Sequence, residues 1–149
     1  DYNIIATDVP LVKAKAFDYS LGNGITAKAT FVHHGPVAAV AWRVELVGCS
    51  IVFSGDMSNR FDVLSSFARN ADILVANNAV PESATGAALN LHMTPSAIAQ
   101  IAKQAQVKQL VLSHFMKRTL TIQKETQGII RQQYRGPIHF ATDGMIVNL

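Results

Sequence analysis

Ile51-Val52-Phe53-Ser54-Gly55-Asp56-Met57-Ser58 joins a short apolar run to a carboxylate across a single Ser-Gly step. The run has the length and β-branched content of a strand, and the glycine ends it. Three other segments set polar residues beside apolar runs in a similar way: Val32-His33-His34-Gly35, His92-Met93-Thr94 and Ser113-His114-Phe115. An open α/β sheet carries its working residues just past its strand ends. Four such clusters therefore predict a sheet whose loops bring His34, Asp56, His92 and His114 together.

The flanking sequence supplies the strands and helices this requires. Ile4–Val9 and Leu11–Tyr19 are short alternating stretches separated by Pro10, and Leu21-Gly22-Asn23-Gly24 reads as a turn. Ile25–Phe31 alternates with period two. Val37–Leu46 and Ser50–Ser54 read as paired strands joined at Val47-Gly48. Beyond Asp56 the pattern changes. Asn59–Ala68 spaces Phe61, Leu64 and Phe67 as a helix does, and Asp72–Val75 is a buried-type strand. Pro81–Leu91 is Gly, Ala, Ser and Asn-rich and reads as a loop. Thr94-Pro95 opens a helix, with Thr as N-cap and Pro in the first turn, and Ile98, Ile101, Ala102 and Ala105 form its apolar stripe. Gln109–Leu112 is a strand, Thr121–Tyr134 a helix, and Pro137–Thr142 and Met145–Leu149 closing strands. Hairpins followed by alternating strand and helix predict one α/β domain over residues 1–149, a mixed sheet with flanking helices.

Composition narrows the function. Of the 149 residues 49% are hydrophobic and 15% charged, which suits a packed core and excludes a disordered chain. No apolar run approaches the ~20 residues that span a bilayer, and no signal peptide is visible, so the reading is a soluble protein of the cytoplasm or bacterial periplasm. Asp1-Tyr2-Asn3 reads as the middle of a protein. Cys49 is the lone cysteine, which excludes an intrachain disulfide and a cysteine-based zinc site. Residues 1–100 carry a net charge of −2 and residues 101–149 one of +5. That tilt suits an anionic small-molecule substrate, although a solvated helix face explains it as well. No basic stripe interleaved with aromatics points to nucleic acid.

Three histidines and an aspartate suit zinc, or manganese or iron where carboxylate and water share the site. Spacing alone is unspecific, because no HxH, HExxH or CxxC is present. Each histidine alone also fits a hydrogen-bonded structural role, and Asp56 could hold a turn.

The ordered motifs are more specific. His34-Gly35-Pro36-Val37-Ala38-Ala39-Val40-Ala41-Trp42-Arg43-Val44-Glu45 resembles the third-histidine segment of the ribonuclease Z and arylsulfatase-like branch of the metallo-β-lactamase superfamily. Ile51–Ser58 resembles that branch's strand ending in Ser-Gly-Asp. Ala71–Val75 resembles its next strand, His92-Met93-Thr94-Pro95 its helix start, and Leu110–Phe115 its last-histidine strand. Tyr134-Arg135-Gly136-Pro137 and Ala141-Thr142-Asp143-Gly144 fit its closing strands. The resemblance covers residues 20–149, and it implies the C-terminal half of an αββα sandwich.

The resemblance also implies roles. His34 would complete one metal's ligands, Asp56 would bridge two divalent metals, and His114 would bind the second. Such metals lower the pKa of a bound water from about 16 toward about 7. Asp56 and His92 would be catalytic, His92 near the leaving group. Lys117 and Arg118 follow His114 where a phosphate-binding pair would sit, with surface charge the plainer reading. His33 should point away from His34 in an extended segment, His139 reads as structural, and Asp143 as a turn residue.

Two departures qualify the resemblance. The family's His-Glu after the middle strand is replaced by Ala76-Asn77-Asn78, and an amide cannot take up a proton or stabilise an imidazolium as a carboxylate does. This speaks against tRNA processing. The family's His-x-His-x-Asp-His motif, which supplies four further ligands, does not occur in the sequence. The expected partner is therefore the missing N-terminal half, in the same polypeptide or a separate chain. A non-catalytic domain that pairs with itself, and a nucleic-acid-processing subunit, are the alternatives.

Overall fold

The computed structural model describes residues 6–10, 12 and 15–148. Its strands are β1 (Ala16–Gly22), β2 (Ile25–His34), β3 (Val37–Leu46), β4 (Cys49–Phe53), β5 (Ile73–Asn77), β6 (Gln109–Ser113) and β7 (Ile138–Phe140). Its helices are α1 (Val63–Phe67), α2 (Ala87–Leu91), α3 (Pro95–Gln104), α4 (Lys117–Leu120) and α5 (Gln123–Arg131).

The strands form one mixed sheet in chain order. β1 to β4 run as an antiparallel meander, and β4 to β7 run parallel. Antiparallel neighbours need only tight turns. Asn23 and Gly24 supply one, with φ of 51° and 74°, the pair of left-handed residues a two-residue hairpin requires. Parallel neighbours need crossovers, which the helices provide. Right-handed crossovers between strands laid side by side put their helices on one face. The core has that composition: Val52, Leu74 and Leu112 from the sheet meet Leu64, Ile98 and Ile130 from the helices.

The other face is apolar as well. Trp42 pairs with Ala29 on one side and Phe53 on the other, and Phe53 pairs with Val75. Alternation puts these residues opposite Val52 and Leu74. Tyr19 packs on Trp42 with ring centroids 5.6 Å apart. None of this aromatic set belongs to the helix-side core, and Phe53 is 43% exposed.

Several sequence expectations change. Residues 6–9 form no strand, and the rest of Ile4–Val9 lies outside the described residues. Of Leu11–Tyr19, residues 11, 13 and 14 lie outside them too, and β1 begins only at Ala16, where pairing with Thr30 starts. Helix α1 is shorter than Asn59–Ala68, because Asp62 takes a left-handed φ of 48° and starts the helix late. Pro81–Leu91 is not all loop, since Ala87–Leu91 forms one turn of helix after Gly86. The helix expected over Thr121–Tyr134 ends at Arg131, and a separate turn, α4, precedes it. Of Met145–Leu149, residues 145–148 form no strand and residue 149 lies outside the described residues; Ile146 is 85% exposed.

Helix α3 starts as expected. Thr94 Oγ1 accepts from the Ala97 N–H at 3.3 Å, and Pro95 occupies the first turn. The Glu82 carboxylate also accepts from the Ser96 N–H at 2.9 Å, so the segment after β5 is fastened to the start of α3.

Asp72 ties three strands at their other end. Its carboxylate accepts from Ser50 N at 2.7 Å and Ser50 Oγ at 3.1 Å, and pairs with Lys108 Nζ at 2.7 Å. The Lys108 hydrogen bond, with the Ser50 donors, holds the carboxyl below its usual range against the opposing effect of burial. A depressed folded pKa gives stability that is present above the unfolded value of about 3.9 and is lost as pH falls through the folded value. The stability difference between the wild type and Asp72→Asn, measured by urea denaturation, should therefore be constant near neutrality and shrink as pH drops below about 4. A difference that does not change with pH would show that Asp72 contributes no linked proton.

Candidate metal centre

β2 and β4 flank β3 antiparallel, so they run the same way. β5 and β6 follow β4 in parallel. The C-terminal ends of β2, β4, β5 and β6 therefore share one sheet edge. Those ends carry His34, Ser54-Gly55-Asp56, Asn77 and Ser113-His114. His92 reaches the same edge between α2 and the N-cap of α3.

Backbone constraints aim these side chains. Gly55 has φ of 61°, and a Cβ there would collide with the carbonyl oxygen of Val40. Only glycine lets β4 turn beneath β3 and release Asp56 toward β6. His114 holds a left-handed φ of 55°, a conformation that costs roughly 1–3 kcal/mol in a non-glycine residue and gathers at functional sites. Ser54 Oγ accepts from the Asn77 N–H at 3.1 Å and so locks the end of β5 to the same turn.

The side chains converge. Asp56 Oδ2 lies 3.3 Å from His114 Nε2. Ligand atoms of Asp56, His92 and His114 lie within 4.8 Å of one another. The His92 ring lies 5.3 Å from that of His34 and 5.7 Å from that of His114. A cavity of about 220 Å³ opens beside the cluster, lined by Phe53, Asp56, Asn77 and His114 among others. His92 is 8% exposed. Burial pushes its pKa below the usual histidine value, and the Asp56 charge pulls the other way; His34, His114 and Arg118 add to the lowering.

The donor set fits a divalent metal. His34 Nδ1 lies 2.8 Å from the Leu91 carbonyl oxygen. A carbonyl only accepts, so Nδ1 carries a proton, and the nitrogen left to ligate a metal is Nε2. That is the orientation a second partner gives to metal-ligating histidines. The Leu91 carbonyl was not legible in the sequence, because α2 reads there as loop. His33 turns elsewhere, its Nδ1 2.7 Å from Ser58 Oγ and its ring edge-on to Phe61. His139 sits in β7 against Gln109 Oε1 at 3.1 Å. Lys117 is exposed on α4. Arg118 donates from Nε to the Ala79 carbonyl at 2.7 Å, which anchors its charge near His92.

No protein-family model matches the sequence. The solved structure of the metallo-β-lactamase fold protein YhfI from Bacillus subtilis superposes with a TM-score of 0.74 at 22% identity, over 87% of this chain and 51% of that one. The chain has the metallo-β-lactamase fold. Human tRNase Z, short form, shares that fold with a TM-score of 0.68 at 22% identity, over 89% of this chain and 45% of its own. In sequence the chain is 31% identical over 103 residues to a ribonuclease Z of Myxococcus xanthus. That match takes in 68% of this chain, which spans about a third (33%) of the relative's length. Within the metallo-β-lactamase fold the chain thus supplies one mixed sheet, its helices on one face, and the edge that carries the histidines and Asp56.

Gly55→Ala should destabilise the chain by about 1–2 kcal/mol from the left-handed backbone alone, and by more from the contact with Val40. It should also weaken zinc binding, since the turn that presents Asp56 must shift. Denaturation midpoints and calorimetric zinc titration would register both losses, and an alanine variant equal to the wild type in the two would refute the role given to this turn.

Proposed function

We propose that the chain is the C-terminal half of a metal-dependent hydrolase acting on phosphodiesters, sulfate esters or related anionic esters. The observation that carries this reading is the meeting of Asp56 and His114 at 3.3 Å, with a ligand atom of His92 within 4.8 Å of both; His34 is outside that group and reaches it through the His92 ring, 5.3 Å away. His34, Asp56 and His114 would hold divalent metal, zinc first and manganese or iron as alternatives, with Asp56 shared between two ions. When bound, the metals supply water activation at neutral pH and neutralise developing charge. His92 lines the same centre from a buried position suited to the leaving group. Arg118, and less directly Lys117, add positive charge for an anionic substrate.

The remaining ligands would come from the other half of the fold, on the same polypeptide or on a partner. The apolar face around Trp42 and Phe53 supports this, because a second sheet laid on it would remove that surface from water. Alone, the chain would bind metal weakly and lack activity. Self-pairing over the same face is the alternative reading. Asn77 in place of an acid argues against tRNA maturation as the activity, despite the similarity to a ribonuclease Z.

In the protein that combines this chain with the preceding half, Asp56→Ala should abolish hydrolysis of a phosphodiester model substrate and remove at least one bound metal per chain, read by elemental analysis. Full activity in that variant would sink the assignment. Sedimentation of the isolated chain separates the two ways of covering the apolar face: a stable dimer unaffected by the other half supports self-pairing.

A further inference from the structure

We infer that the cavity on the β7 side of His114 is a binding subsite for a neutral, hydroxyl-bearing group such as a sugar, with the Asp143 carboxylate as its hydrogen-bond acceptor. β7 runs parallel to β6, with Leu112 opposite Phe140, and the Ala141 N–H extends the ladder to the Leu112 carbonyl at 2.9 Å. Ala141, Thr142 and Asp143 therefore leave the sheet at the edge that carries His114. A cavity of about 410 Å³ lies there, lined by Ser113, His114, Phe115, Leu120, Thr142 and Asp143 among others. Ser113 and His114 also line the smaller cavity beside Asp56. A molecule held at the centre can thus extend past His114 into the larger space.

The turn after β7 does not use the Asp143 side chain. Its closing hydrogen bond runs from the Met145 N–H to the Thr142 carbonyl at 3.1 Å, and Gly144 takes the left-handed position with φ of 75°. Asp143 then holds the first central position of a four-residue turn, which most residue types can fill. Neither its carboxylate nor the Thr142 hydroxyl has a hydrogen bond or ion pair among the described residues. A turn role therefore accounts for the backbone of Asp143 and leaves its charge unexplained. The facing walls are apolar. Phe115 stacks on Phe140 with ring centroids 6.0 Å apart. Leu120, 54% exposed, projects from α4, which is held by the buried Thr119 Oγ1 accepting from the Met116 N–H at 3.0 Å. Apolar walls with a few fixed polar groups are the make-up of a small-molecule pocket.

The lining selects the occupant. An ionised carboxylate only accepts, so its partner must donate. A second anionic group would meet a like charge at Asp143. A cation would find a single carboxylate, with no other acidic residue among those lining the space. Hydroxyl groups use everything present: they donate to Asp143 and exchange hydrogen bonds with Thr142 and Ser113, while ring carbons pack on Phe115. The ester class narrows accordingly, to one whose negative charge is confined to the reacting group and whose substituent is a polyol. That the cavity serves a substrate rests on the hydrolase reading; that it binds a polyol does not.

Amide correlation spectra of the labelled 149-residue chain, titrated with methyl riboside, test the subsite directly. Expected are saturable shifts centred on Phe115, Thr142 and Asp143. Affinity should fall about tenfold in Asp143→Ala, the loss of one hydrogen bond to a charged group, and less in Asp143→Asn, which keeps one acceptor. Asp143 is exposed in a turn closed by its backbone, so both variants should fold; should one not, the wild-type shifts and the other variant decide. Shifts absent or centred elsewhere, or wild-type affinity in Asp143→Ala, would overturn the inference. In the protein that combines this chain with the preceding half, loaded with zinc, Asp143→Ala should lower kcat/KM for the p-nitrophenyl ester of uridylic acid, relative to bis(p-nitrophenyl) phosphate, by about tenfold through KM. Hydrolysis with an unchanged ratio would refute the subsite and spare the hydrolase reading. Riboside binding with neither ester hydrolysed would do the reverse.

Discussion

The shared direction of β2, β4, β5 and β6 is the constraint on which the site depends. Strands that run the same way end at the same edge, and whatever follows them meets there. Residues as distant in sequence as His34 and His114 become neighbours through nothing more than strand polarity. The helices follow from the same fact. Parallel neighbours need crossovers, crossovers of one hand fall on one face, and that face becomes the core. Reversing β4 would lose the core and the centre together.

Strand polarity brings the residues close, and local backbone chemistry then aims them. Gly55 passes under Val40 where no side chain fits, and His114 accepts a left-handed backbone just after β6. The Asn77 amide joins Asp56 to His92, and the Leu91 carbonyl orients His34. The centre is therefore shaped by protein donors and acceptors before any metal enters. A carboxylate 3.3 Å from an imidazole nitrogen, with a half-exposed His114 and a buried His92, leaves one side open and one side closed.

Much of this was legible from residue order. Period-two and helical spacing located β2 to β6 and α3 closely, because each is buried on at least one side and burial writes its period into the sequence. The hairpin at Asn23-Gly24 and the cap at Thr94-Pro95 were legible through turn and cap chemistry. Elements held by tertiary contacts were not. The one-turn α2 has no apolar stripe, and the late start of α1 depends on the backbone of Asp62, for which no local signal exists. For the centre, the sequence identified which residues end strands, and the ordered motifs suggested a chemistry. It could not show how His34 is oriented, since that depends on the Leu91 carbonyl reaching across the fold.

The apolar face and the incomplete ligand set are two aspects of one situation under the proposed reading. A sheet with helices on one face leaves its other face to be covered, and here that face carries Trp42, Phe53 and Val75 in register. Three donors shared between two ions leave coordination positions to be filled. A second half laid against the sheet would remove the apolar surface from water and deliver ligands to the same edge. Burial of the face would then supply binding energy between the halves, while the metals, taking ligands from each, would fasten them at the edge. Metal affinity and association of the halves should consequently be linked, each strengthening the other by the same free energy. Self-pairing over the face would satisfy the first need without the second, so metal dependence of the association is the physical distinction between the two.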